Sequence, residues 1–165
     1  MKTNEMIKVA IFPALIVATI WIQIPMAGAP ITLQTLFVLL AGLLLGKKLG
    51  FISMVVYLLL GVVGIPVFAG FSAGAGVIAG PTGGFLLSFP IAAYAAGFIK
   101  ERYNSYLLAT LVPTLIIYLI GIPWLATQLA MPLGAAASLM VVYIPGDLIK
   151  MLTAMVIANR LEARI

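Results

Sequence analysis

The stretch "YIPGDLIKML", residues 143–152, sets a carboxylate, Asp147, and an ammonium, Lys150, three positions apart. On a helix that spacing puts both groups on one face. An acceptor beside a donor matches a ligand that offers N–H and C=O side by side, as a urea, lactam or imide does. The same pair suits an amino acid, or it can neutralise itself as an ion pair that pins its helix. Between Lys8 and Arg160 these two are the only acidic or basic side chains outside the clusters Lys47–Lys48 and Lys100–Glu101–Arg102. Lone charges in so apolar a setting each cost about 3 kcal/mol at mid-membrane, so their presence calls for a function or a partner.

Other polar residues stand out by position. In "APITLQTLF", Thr32 is a natural N-cap, while the Gln34 amide and Thr35 lie at a helix start where they can meet a polar head group or interfacial water. "GPTGG", residues 80–84, opens a helix whose free N–H groups favour a carboxylate, and it equally makes a turn. The chain has no Cys and no His, and only Asp147 among its carboxylates falls within an apolar run, so acid–base, thiol and metal catalysis are poorly supplied. No enzyme, metal or cofactor is expected. "GLLLGKK" has three residues between its glycines where a nucleotide loop needs four, and "GAGVIAG" is not GxGxxG, so no nucleotide motor is encoded.

The elements that must hold these groups follow from composition. Of 165 residues, 64% are hydrophobic and 8% charged, and the mean hydropathy is +1.26; a soluble domain carries roughly a quarter charged residues. The chain reads as an all-α integral membrane protein forming one domain over residues 1–165. With about 20 apolar residues per span, six helices are expected: Glu5 to Ile24, Thr32 to Gly46, Leu49 to Gly64, Gly83 to Ile99, Ser105 to Ile122, and Gly134 to Arg160. The last exceeds the bilayer thickness, and Pro145 predicts a kink or break in its outer part. Counted back from Arg160, Asp147 lies about 20 Å up, in the outer half of the membrane.

The net charge of +5 comes from residues spaced like helix flanks. It marks topology and not a nucleic-acid footprint. Lys2 and Lys8, Lys47–Lys48, the 100–102 cluster and Arg160–Arg164 fall on one side if both termini are cytoplasmic. The first helix lacks a small-residue cleavage site and is expected to be retained. Ile-Pro recurs at 24–25, 65–66 and 122–123, the expected outer ends of three helices. The outer segment "GIPVFAGFSAGAGVIAGPTGGF" is too apolar for a free loop and too broken by Gly and Pro to span, so it lines a site or rests on the bundle. In the first helix Ala10, Ala14 and Ala18 form a small-residue stripe, suited to docking on another membrane protein or to packing within the bundle.

"ITLQTL" (31–36), "PVFAG" (66–70), "GPTGGFLLSFP" (80–90) and "YIPGDLIK" (143–150) together resemble the BioY family, the biotin-specific subunits of energy-coupling factor transporters. The resemblance covers nearly the whole chain. It implies a six-helix plasma-membrane bundle that captures biotin from outside, with a separate membrane coupling subunit and two ATP-hydrolysing subunits as partners. Biotin is then the transported ligand and not a cofactor. Asp147 and Lys150 are implied to meet the ureido ring, with Gln34, Ser72 and Gly74 lining the pocket and Phe68, Phe71 and Tyr143 against the bicyclic ring. Ala10, Ala14 and Ala18 are implied to dock on the coupling subunit. Where family members carry an arginine after GGY or GGF and an asparagine in the Gly-rich loop, this chain has Leu86 and Ser72. The helix that starts at Gly83, or Lys150, is left to meet the valerate carboxylate. A stand-alone secondary carrier, or a subunit of the same kind for another small vitamin-like solute, is the alternative.

Overall fold

A computed structural model describes residues 2–26 and 29–163. Arg164, counted above among the flanking charges, lies outside the described residues. The elements are α1 (Thr3–Thr19), the two-residue strands β1 (Gln23–Ile24) and β2 (Ile31–Thr32), α2 (Gln34–Val62), α3 (Ala75–Ala79), α4 (Gly83–Tyr103), α5 (Tyr106–Gln128), α6 (Leu133–Met140) and α7 (Ile144–Glu162). Four stretches are long and apolar enough to cross a membrane: Gln34–Val62, Gly83–Tyr103, Tyr106–Gln128 and Leu133–Glu162. Their outward faces carry Leu59, Leu119, Ile149 and Leu152, all more than half exposed, a surface that suits lipid and not water.

α2 is a hairpin, not a rod. At Gly46 the backbone takes φ 78° and ψ 172°, outside the helical region, and a Cβ on Gly50 would lie 3.0 Å from both the Ala41 carbonyl oxygen and the Gly42 Cα. Eight residues of straight helix would hold those positions about 12 Å apart. The chain therefore reverses beside the lysine pair, as the charge pattern predicts, and limbs 34–45 and 47–62 run antiparallel. α4 packs into this hairpin so closely that a Cβ on Gly42 would sit 2.3 Å from the Ala93 carbonyl oxygen and one on Gly97 would sit 2.2 Å from the Lys47 nitrogen. At the same end Lys47 pairs with Glu101 at 2.9 Å and Lys100 with Glu162 at 3.0 Å, tying the hairpin tip to α4 and α4 to α7.

Three expected boundaries are corrected, and the break expected at Pro145 is present. The first helix stops at Thr19 instead of Ile24, because Ile24, held extended before Pro25, pairs with Ile31 in an antiparallel ribbon. The second begins at Gln34, although Thr32 still receives the Gln34 N–H on its hydroxyl at 3.3 Å. α5 runs straight through Ile122–Pro123 to Gln128, so that Ile-Pro is not a stop. The last helix breaks before Pro145: α6 ends at Met140, a 3-10 turn covers Val141–Tyr143, and Pro145 sits in the first turn of α7, where its missing N–H leaves nothing unpaired.

Candidate functional site

The first limb of α2, the 68–82 segment, α4, α5 and α7 converge on one cavity, which Ala29–Thr32 and Met140 complete. Most of its wall is apolar: Phe68, Phe85, Leu86, Phe89, Ile117 and Met140. Its polar cluster comes from three helices.

Two turns of geometry make the cluster. Pro145 starts α7, so Asp147 and Lys150 both fall in its first two turns and share a face. The Lys150 Nζ donates to Asp147 Oδ1 at 3.0 Å and to Thr35 Oγ1 on α2 at 3.1 Å. The Tyr118 hydroxyl, from α5, donates to Asp147 Oδ2. The two charged side chains are only 16% and 11% exposed. Lysine has three donors, so one remains; each carboxylate oxygen keeps one further lone pair. The pair thus neutralises itself and still presents one donor and two acceptor sites on a cavity wall.

A second polar chain runs beneath. Thr32 Oγ1 donates to Gln34 Oε1 at 3.1 Å, Gln34 Nε2 donates to the fully buried Tyr57 hydroxyl at 2.6 Å, and that hydroxyl donates to the Val67 carbonyl at 3.1 Å. The chain fastens the start of the 65–82 segment to both limbs of α2. Phe68 then lies edge-on to Tyr57 with ring centroids 5.7 Å apart, over Gly61, where a Cβ would come within 2.0 Å of the ring. Further along, the Gly74 N–H donates to the Gly61 carbonyl at 2.7 Å and Trp124 Nε1 of α5 donates to the Gly80 carbonyl at 2.9 Å. These bonds tie the segment to α2 and α5, and it lines the cavity through Phe68, Ala69, Ser72, Val77 and Thr82.

Of the residues expected at the site, Asp147, Lys150, Gln34, Ser72, Phe68 and Tyr143 line the cavity. Tyr143 also donates its hydroxyl to the Ala29 carbonyl. Phe71 and Gly74 do not line it, which corrects both. Gly70 (φ 69°) and Phe71 (φ 58°) both take left-handed backbone inside a tight loop closed by the Phe68–Ser72 bridge, and this turns Phe71 outward, 58% exposed. Gly74 faces open space. The sequence reading missed Tyr118 altogether. Its signal is a single phenol within "TLIIYLIG", a polar group that an apolar helix carries at a cost unless it is bonded.

Ala10, Ala14 and Ala18 lie on the exposed face of α1, opposite the buried Val9, Phe12, Ile16 and Ile20. The stripe is therefore not packed within the bundle. With Val56, Leu60, Ile65 and Val67 it borders a shallow apolar groove.

A bundle of apolar helices around one small, polar-tipped cavity belongs to the membrane proteins that hold a small solute within the bilayer. The sequence model of the BioY family matches residues 1–165. A probable biotin transporter BioY of Pyrococcus horikoshii is 45% identical over 162 residues, spanning 98% of each chain. The biotin transporter BioY of Thermotoga maritima is 41% identical over 162 residues, 96% of each. A crystal structure of the S-component for biotin from an ECF-type ABC transporter superposes with a TM-score of 0.84 at 30% identity, over 99% of this chain and 95% of that one. The chain belongs to the BioY family.

Proposed function

We propose that the chain captures biotin as the substrate-specific subunit of an energy-coupling factor transporter in the plasma membrane. In this reading the two limbs of α2 cross separately, so that with α1, α4, α5 and the α6–α7 stretch there are six passes and both termini are cytoplasmic. ATP hydrolysis then belongs to two partner subunits, joined through a membrane coupling subunit that meets the Ala10, Ala14 and Ala18 face. No cofactor or metal takes part.

The observation that carries this reading is the Asp147–Lys150 pair on the wall of an otherwise apolar cavity. A cyclic urea presents an N–H donor beside its carbonyl acceptor on one edge; a free lone pair of Asp147 and the third donor of Lys150 complement it. The bicyclic ring and its aliphatic chain suit Phe68, Phe85, Phe89 and Tyr143. Leu86 lines the cavity without charge, which leaves the valerate carboxylate to the first turn of α4, beside Thr82. The test is binding of radiolabelled biotin to the detergent-purified chain, with desthiobiotin and thiamine as competitors. Saturable binding displaced by desthiobiotin alone is expected. Displacement by thiamine instead would assign the cavity to another vitamin, and uptake by this chain without partners would make it a carrier in its own right.

Tyr118 gives a finer prediction. Tyr118→Phe removes only the hydroxyl that holds Asp147 Oδ2. A hydrogen bond to a charged group is worth about 1.5 kcal/mol or more, so biotin affinity should fall about tenfold while the thermal midpoint of the empty chain moves little. Calorimetric titration of wild type and variant measures the difference; equal affinities would remove Tyr118 from the site.

A further inference from the structure

Pro13 lies inside α1 and has no N–H. The carbonyl it would serve is that of Val9, four residues back, and an orphaned carbonyl in an apolar interface is costly. That carbonyl is not orphaned: Ser53 Oγ, on the second limb of α2, donates to it at 2.7 Å. Ser53 is fully buried and Val9 nearly so. Helix hydroxyls ordinarily turn back on their own helix, as those of Thr19, Thr110, Thr114, Ser138 and Thr153 do here. Among the described residues, Ser53 is the one helix-interior Ser or Thr hydroxyl that donates to a different helix. Pro90, Pro113 and Pro123 also lie inside helices, and the carbonyls four residues before them receive no side-chain donor among the described residues.

α1 packs chiefly on α2, through Phe12, Ile16 and Ile20. Apolar contacts are non-directional and tolerate rotation about the helix axis. A hydrogen bond to one carbonyl does not, because each step along a helix turns its face by about 100°.

We propose that Ser53 is a positioning residue for transport: its hydroxyl replaces the bond that Pro13 deletes and thereby fixes the rotation of α1, so that Ala10, Ala14 and Ala18 point outward as one face. This rests on the reading of that face as the docking surface for the coupling subunit. Ser53 touches neither the cavity nor the partner; it acts through α1.

The experiment pairs uptake with binding and unfolding. In cells carrying the whole transporter, Ser53→Ala should lower biotin uptake fivefold or more, while the purified variant binds biotin within twofold of wild type. Ser53→Thr, which keeps a hydroxyl, should restore uptake. In a Pro13→Ala background residue 13 has its own N–H for the Val9 carbonyl, so Ser53→Ala should lower the unfolding midpoint in the wild-type background and not in this one. Equal midpoint losses in both backgrounds would overturn the replacement of the lost bond. Wild-type uptake by Ser53→Ala, or loss of binding along with uptake, would overturn the positioning role. Normal uptake by Ala14→Trp alongside loss in Ser53→Ala would sink the docking face and leave the hold of Ser53 on α1 in place.

Discussion

Asp147→Ala is expected to reduce biotin affinity at least a hundredfold. The substitution removes the carboxylate offered to a ureido N–H group. It also strands the Lys150 ammonium, which is 11% exposed and keeps only Thr35 as a partner. Breaking a buried ion pair by deleting one member costs about 3–5 kcal/mol, since the survivor stays charged in a poor solvent, and about 1.4 kcal/mol corresponds to each factor of ten in affinity. Part of that loss is structural, so the variant is to be compared with the double substitution Asp147→Leu with Lys150→Met, which removes both charges. The double variant should regain most of the thermal stability without regaining binding. Biotin titration and thermal unfolding of both proteins separate the two contributions; wild-type affinity in Asp147→Ala would take the pair out of the site.

Ala14→Trp is expected to abolish biotin uptake, by more than fiftyfold, and to leave biotin binding by the purified chain unchanged. Ala14 is exposed on α1 and borders the groove with Val56, Leu60, Ile65 and Val67. Small residues at that spacing let two helix backbones approach closely, and an indole there holds them apart by its own width. The cavity is walled by other elements, so a side chain on the outer face of α1 has no route to its polar cluster. Co-purification with the coupling subunit and uptake in whole cells are the readouts. Uptake at the wild-type rate would dismiss the stripe as a docking face, and simultaneous loss of binding would indicate a misfolded bundle.

Much of this was legible in the residues themselves. Apolar runs of helical length broken by basic pairs are local signals, and the reversal at Gly46 beside Lys47 and Lys48 follows from them. Asp147 and Lys150 announce themselves because uncompensated charge in an apolar run has few explanations. The Ile-Pro pattern was less reliable. It marks an extended residue at Ile24, yet α5 carries Pro123 inside a helix that continues to Gln128, because a helix in apolar surroundings keeps every other backbone bond where no water competes.

What the sequence by itself determined, then, is the apolar helical character of the chain, the place of the hairpin reversal and the charged pair that lines the cavity, since each depends on the types and spacing of neighbours along the chain. Tertiary structure alone decided which partners close around that pair. Tyr118 reaches Asp147 across 29 positions, and Thr35 reaches Lys150 across 115. It also decided that Phe68 turns inward while Phe71, three residues on, turns out. The sign of φ at Gly70 and Phe71 sets that choice, and in a glycine-rich loop either sign is locally accessible, so only packing against Tyr57 and Gly61 selects between them.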